Sequence, residues 1–248
     1  MLRYETIAFD YDPFPIGVAR PVLDPHSYNR LVEAFPPVSL FEYKAAKGGK
    51  YSLSQVNNRS NYRGFVSSTP PWREFHAYIK SRAFIDGALA MLKSRGIDLG
   101  FPLPGLARQI YLKARAIRRG NPLPHFPTLK ARFEFSAMPI TGGNILPHTD
   151  DPKKIVTMVI PMLREDEWDH AWGGGTAMVW PVDPTKIFNP MNHYLDFADV
   201  TVRKTFPFEP NQCLVFVKTP NSWHAVWPMT GDDPATLRKT LTINIETS

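Results

Sequence analysis

Near residue 130 the spacing of apolar residues changes from every third and fourth position to every second. No single helical or sheet architecture accommodates that change. Before it, Asp24-Pro25 reads as an N-cap followed by a first-turn proline, with Tyr28, Leu31, Val32 and Phe35 forming a stripe that ends at Pro36-Pro37. A second helix is expected from about Pro71, with Trp72, Phe75 and Ile79 on one face. A third begins near Ser81, carries Phe84, Ile85, Ala88, Leu89 and Leu92, and stops at Gly96. Residues 107–119 fit a further, basic helix, and Gly120 to Pro127 reads as a connector. After the change, short strands are expected at Ala131–Met138, Ile145–Asp150, Ile155–Met162, Thr176–Trp180, within Tyr194–Phe206, and at Cys213–Lys218, Trp223–Trp227 and Arg238–Glu246. The 25 prolines, about twice the usual share, argue against long uninterrupted helices. The expected fold class is α+β, mainly β: a jelly roll with N-terminal helices packed on one sheet. The 248 residues then form one structural unit, with 1–128 as helical support and 129–248 as the β core.

The last expected strand separates two faces. Arg238, Thr240, Thr242, Asn244 and Glu246 alternate with Lys239, Leu241, Ile243 and Ile245. Arg132, Glu134 and Ser136 alternate in the same way with Phe133, Phe135 and Ala137. Two arrangements satisfy the pattern. Either the polar face meets solvent, or the apolar face lies under the helices and the polar face lines an internal cavity for a polar ligand.

Composition narrows the classes. No apolar run is long enough to span a bilayer, and the first residues carry no secretory apolar stretch. The single cysteine, Cys213, excludes an intrachain disulfide and a cysteine zinc cage, so a reducing, cytoplasmic location is expected. The net charge of +6 is uneven: residues 44–132 hold 17 Lys/Arg against 3 Asp/Glu. Arg108, Lys113, Arg115, Arg118 and Arg119 are the densest part. That segment is either a solvated basic face or a dock for an anionic partner, and no nucleic-acid motif accompanies it.

His148-Thr149-Asp150 carries the strongest chemical signal. On a strand, alternate residues point the same way, about 6.6 Å apart, so both side chains can converge on one ion. Of the seven histidines, His224 lies in a strand-like segment of the β half, whereas His170 and His193 read as loop residues. Two histidines and a carboxylate leave coordination positions open, which suits non-haem Fe(II).

These residues appear in the order His148-Thr149-Asp150, the apolar strand Ile155–Met162, Trp172-Gly173-Gly174-Gly175-Thr176, Ser222-Trp223-His224 and Arg238-Lys239-Thr240. In that order the β half, nearly half of the chain, resembles the 2-oxoglutarate- and Fe(II)-dependent oxygenase superfamily, nearest its prolyl-hydroxylase-like branch. The resemblance implies a double-stranded β-helix in which His148, Asp150 and His224 bind Fe(II). It also implies that Arg238, 14 positions after His224, pairs with the distal carboxylate of 2-oxoglutarate beside Thr240. Substrate would be oxidised as 2-oxoglutarate becomes succinate and CO2. Collagen-type prolyl hydroxylases use lysine where Arg238 stands. Nucleic-acid demethylases of the AlkB type carry a second arginine where Asn244 stands, so nucleic acid is disfavoured as substrate. Asp150 is retained, which favours hydroxylation over halogenation. Asp151 is expected to be a turn residue. Asn144, Arg132, Glu134 and Thr157 are candidate pocket residues. The expected substrate is a small molecule or a protein side chain, anionic if the basic segment guides it. The competing reading is a catalytically silent jelly-roll binding protein with a basic docking surface. A cupin-type isomerase or metal hydrolase would share the metal ligands but would not require Arg238.

Overall fold

The computed structural model describes residues 1–45, 48–97, 99, 106–124 and 128–247; the end of the expected connector, residues 125–127, lies outside them. Five helices are described: α1 (Pro25–Glu33), α2 (Arg59–Ser68), α3 (Pro70–Ile79), α4 (Arg82–Ser94) and α5 (Leu106–Arg118). The caps are those the sequence indicated. Asp24 accepts a hydrogen bond from the Ser27 N–H and Ser81 from the Phe84 N–H, each satisfying a first-turn donor. Helix α2 was not expected. It carries only Tyr62 and Val66 as buried residues, too sparse a stripe to stand out from sequence.

Strands are also present before residue 130: β1 (Ala8–Asp10), β2 (Ile16–Ala19), β3 (Glu42–Lys44) and β4 (Lys50–Ser54). The eight strands of the second half are β5 (Leu129–Pro139), β6 (Ile145–His148), β7 (Lys154–Pro161), β8 (Thr176–Pro181), β9 (Val200–Phe206), β10 (Cys213–Val217), β11 (His224–Val226) and β12 (Leu237–Thr247). The larger sheet runs β1-β2-β10-β7-β12-β5-β4-β3 and the smaller runs β6-β11-β8-β9. All the strand pairs are antiparallel. The first half is therefore not only helical support, because its four strands extend both edges of the larger sheet. Two antiparallel sheets with few helices are consistent with a jelly roll.

The two faces of the larger sheet have different partners. Phe133, Phe135, Leu241, Ile243 and Ile245 join Trp72, Ile79, Phe84 and Leu92 in one buried cluster, with the Trp72 ring 4.7 Å from that of Phe135 in edge-on contact. The apolar face therefore lies under the helices. On the opposite face Glu134, Ser136, Arg238, Thr240 and Asn244 are also buried. Met138 packs there with Val226 of β11, and Leu214 and Phe216 pack with Met178 and Phe206 of the smaller sheet. The polar face is thus the interior between the sheets, flanked by apolar contacts, and the solvent alternative is excluded. Among the described residues no helix is long and apolar enough to cross a membrane.

His76 of α3 sits against Phe133, with ring centres 5.4 Å apart. Burial, then the nearby Lys80 charge, pushes its imidazole down from 6.5 to about 4. The unfolded chain takes up this proton first as pH falls, so stability is full above about 6.5 and lost toward 4. Replacing His76 by Phe should flatten the fall in denaturation midpoint between pH 7 and pH 5. An unchanged pH slope would remove His76 from the acid response.

Candidate metal centre

β6 and β11 pair so that His148 lies directly opposite His224. The expected strand through Asp150 is shorter than predicted. β6 ends at His148, and Asp150 follows in the left-handed region at φ 74, which aspartate tolerates better than most side chains. The carboxylate therefore reaches His148 through a chain reversal, not through strand alternation. Asp151 closes the turn by accepting the Lys153 N–H at 2.8 Å, as expected of a turn residue.

The donor atoms of His148, Asp150 and His224 all lie within 4.8 Å of one another. His148 Nε2 is 3.6 Å from Asp150 Oδ1 and His224 Nε2 is 4.0 Å from Oδ2. His148 Nδ1 is 2.9 Å from the Leu146 carbonyl, and His224 Nδ1 is 2.9 Å from that of Ser222. A carbonyl only accepts, so in each ring Nδ1 carries the hydrogen and Nε2 offers its lone pair to the centre. Phe216 stacks on His224 at 4.6 Å and Tyr194 on His148 at 5.4 Å. Both imidazole planes are therefore held by packing as well as by hydrogen bonds. Burial, helped by His148, pushes the His224 imidazole down to about 3, the neutral form a metal needs. Burial alone would raise the Asp150 carboxyl; the Lys154 charge and contacts with His148 and His224 overcome it and hold the group well below the usual range. His170 is exposed beside Glu209, and His193 occupies a loop tied to Asn189. Neither joins the centre.

Of the candidate pocket residues, Thr157 reaches the site. Its hydroxyl lies 2.8 Å from Asp150 Oδ2 and 2.9 Å from the side-chain amide of Asn244. A carboxylate only accepts, so the hydroxyl proton goes to Asp150. The structure sets Asn244 Oδ1 toward Thr157; turning the amide over presents its NH2 instead, which makes Asn244 the donor and gives the buried, otherwise unpartnered Nδ2 an acceptor. An Asn244→Thr157→Asp150 chain of donors thus orients the carboxylate. Thr157→Val keeps the shape and removes the donor; metal affinity should fall about 10- to 100-fold in a Co(II) titration. Unchanged affinity would mean the hydroxyl is packing only.

The other candidates are held elsewhere. Arg132 pairs with Glu246, Glu134 with Lys50 at 2.8 Å, and Asn144 donates to the Gly142 carbonyl. Lys154 and Lys218, which donates to Thr149 at 2.9 Å, escaped the sequence reading. By alternation Lys154 shares its phase with Val156, Met158 and Ile160, and Lys218 with Leu214 and Phe216, so neither stood out as a pocket residue.

Arg238 is 3% exposed. Its Nε donates to the Gly174 carbonyl at 2.6 Å, and its guanidinium lies over the Phe208 ring at 4.5 Å. Gly174 has φ 78, and a Cβ there would stand 2.6 Å from Trp168, so the glycine run positions the carbonyl that holds this side chain. Among the described residues no carboxylate pairs with Arg238, and burial draws its guanidinium down to about 9, still charged at neutral pH. A buried cation without a protein anion is costly, and the arrangement suits an anionic ligand. Thr240 is buried on the same face, opposite Ser136 of β5.

No protein-family model matches the chain, and no curated protein matches it by sequence. Solved structures do. A Pseudomonas putida prolyl-4-hydroxylase is 13% identical, with 96% of this chain and 96% of that one covered and a TM-score of 0.47. A Trichoplax adhaerens prolyl hydroxylase, in complex with a hypoxia inducible factor oxygen degradation domain peptide fragment, is 13% identical over 95% of this chain and 85% of that one, with a TM-score of 0.47. The non-heme alpha ketoglutarate dependent epimerase SnoN from nogalamycin biosynthesis is 10% identical over 95% and 77%, with a TM-score of 0.46.

Proposed function

We propose that this chain is an Fe(II)- and 2-oxoglutarate-dependent oxygenase of the prolyl-hydroxylase-like branch, built on a double-stranded β-helix that both halves of the chain complete. One observation carries the reading. A two-histidine, one-carboxylate donor set and a buried arginine that no carboxylate among the described residues pairs with open onto the same interior between the sheets. A metal hydrolase could share these ligands, but its chemistry alone would not call for Arg238.

His148, Asp150 and His224 would hold Fe(II), leaving positions for a chelating co-substrate and for O2. When bound, the iron would let O2 oxidise both 2-oxoglutarate, to succinate and CO2, and a substrate C–H bond, to C–OH, one oxygen atom going to each product. The protein's part is orientation and exclusion of water. The carbonyls of Leu146 and Ser222 fix the imidazole tautomers, and Thr157 and Lys154 fix the carboxylate. Arg238 would grip the distal carboxylate of 2-oxoglutarate through its planar fork, with the Thr240 hydroxyl beside it. The apolar contacts at Met138 and Phe216 shield the interior from solvent, which strengthens both charged interactions. The substrate class that fits is a small molecule or a protein side chain, and hydroxylation is the reaction the retained Asp150 favours. Cys213 is buried and free, which fits a reducing, cytoplasmic setting.

The test is anaerobic titration of 2-oxoglutarate with and without Fe(II), followed by admission of O2 and assay of succinate. Metal-dependent binding and succinate formation are expected. Binding that ignores the metal, or no succinate with both present, would favour a silent binding protein.

A further inference from the structure

Helix α5 carries apolar residues on two faces, and among the described residues only one of these faces is covered. Gln109, Leu112 and Ala116 turn inward, with Ala116 buried. At 100° per residue, Ile110, Ala114 and Ile117 form a second stripe on another face. There Ile110 is 60% and Ile117 70% exposed, and the neighbouring Tyr111 is 51% exposed. Lys113 borders this stripe on one side and Arg118 on the other, with Tyr111, Arg115 and Arg119 following further round the helix. Arg108 rests its guanidinium over the Tyr111 ring at 5.2 Å. All five cations are exposed, and among the described residues none pairs with a carboxylate. No acidic residue occurs between Asp98 and Glu134. Leu123, just beyond the helix, is a further exposed apolar side chain at 58%.

We propose that α5 docks on an anionic lipid surface, lying in the plane of the interface. The charge pattern identifies the occupant. A nucleic acid would neutralise the cations but leave two isoleucines in water. An anionic bilayer offers phosphates to the flanking Arg and Lys side chains and acyl carbons to Ile110 and Ile117 in one flat surface. The long basic side chains can reach up to the headgroups while the stripe between them sinks. This surface is independent of the metal centre, so either assignment can fail without the other.

The experiment is co-sedimentation of the full chain with vesicles of phosphatidylcholine alone or mixed with phosphatidylglycerol, at low and physiological salt. Binding to the mixed vesicles only, weakened but not abolished by salt, is expected. Ile110→Ser with Ile117→Ser should weaken partitioning at least about tenfold, and Arg115→Gln with Arg118→Gln and Arg119→Gln should do the same. Both variants change exposed positions, and unaltered metal titration and thermal unfolding confirm the fold. Absence from the mixed vesicles, equal binding to neutral ones, or binding unaffected by the isoleucine substitutions overturns the proposal. Tighter retention on duplex DNA than on the mixed vesicles overturns it too, and assigns the cations to a nucleic acid.

Discussion

His224→Ala should weaken Fe(II), Co(II) or Mn(II) binding at least about a hundredfold, beyond the 10- to 100-fold typical of losing a supporting group. The argument is geometric. Only His148, Asp150 and His224 bring three donor atoms within 4.8 Å of one another among the described residues, and removing one leaves a two-point site. The fold should survive, because His224 begins the short β11 and its backbone hydrogen bonding does not depend on the ring. The buried, neutral imidazole also carries a desolvation cost that alanine lacks. The matched controls are His170→Ala and His193→Ala, which should leave the titration unchanged. Retained affinity in His224→Ala, or its loss in His193→Ala, would place the third ligand elsewhere.

The sequence and the structure agree where a residue's own chemistry dictates its place. The eight strands of the second half were legible because β5 and β12 alternate apolar and polar residues and most of the others are short apolar runs set off by Gly, Pro, Asn or Asp. Asp24 and Ser81 announced α1 and α4 because a side-chain oxygen before an apolar stripe satisfies orphaned N–H groups. Strands β1 to β4 were hidden because three to five residues hold too few alternations to show a period. Their assignment comes from pairing with β10 and β5, far away in sequence. At the centre, His148 and Asp150 do converge, but through the left-handed backbone at Asp150, which nothing in the His-x-Asp spacing reveals. Asn244 was read as the absence of an arginine. Its link to Asp150 passes through Thr157, 87 positions away in the chain, and only the β7–β12 register brings the two together.

Arg238→Met should move two observables in opposite directions. 2-Oxoglutarate affinity should fall at least tenfold, since a charge-assisted bond contributes roughly 1.5–3 kcal/mol, or about 10- to 150-fold. Stability without ligand should rise, because methionine fills similar volume without a buried charge that no described carboxylate balances. Two contacts oppose that gain: the hydrogen bond to Gly174 and the Phe208 ring. A carbonyl left unpaired costs about 1–3 kcal/mol, whereas an uncompensated buried ion costs several, so the sign of the gain holds. Arg238→Lys should restore part of the affinity, because an ammonium lacks the planar fork. Lys239 is the internal control. It lies next in sequence but on the face with Leu241, Ile243 and Ile245, which packs under the helices. Lys239→Ala should change affinity less than about threefold, as for a side chain that only carries its amine along an apolar face to water. Calorimetric titration on metal-loaded protein and a denaturant midpoint for each variant decide the matter. If Arg238→Met lowers the midpoint and leaves 2-oxoglutarate binding intact, the guanidinium is a structural strut between Gly174 and Phe208, and the buried polar face serves some other anion.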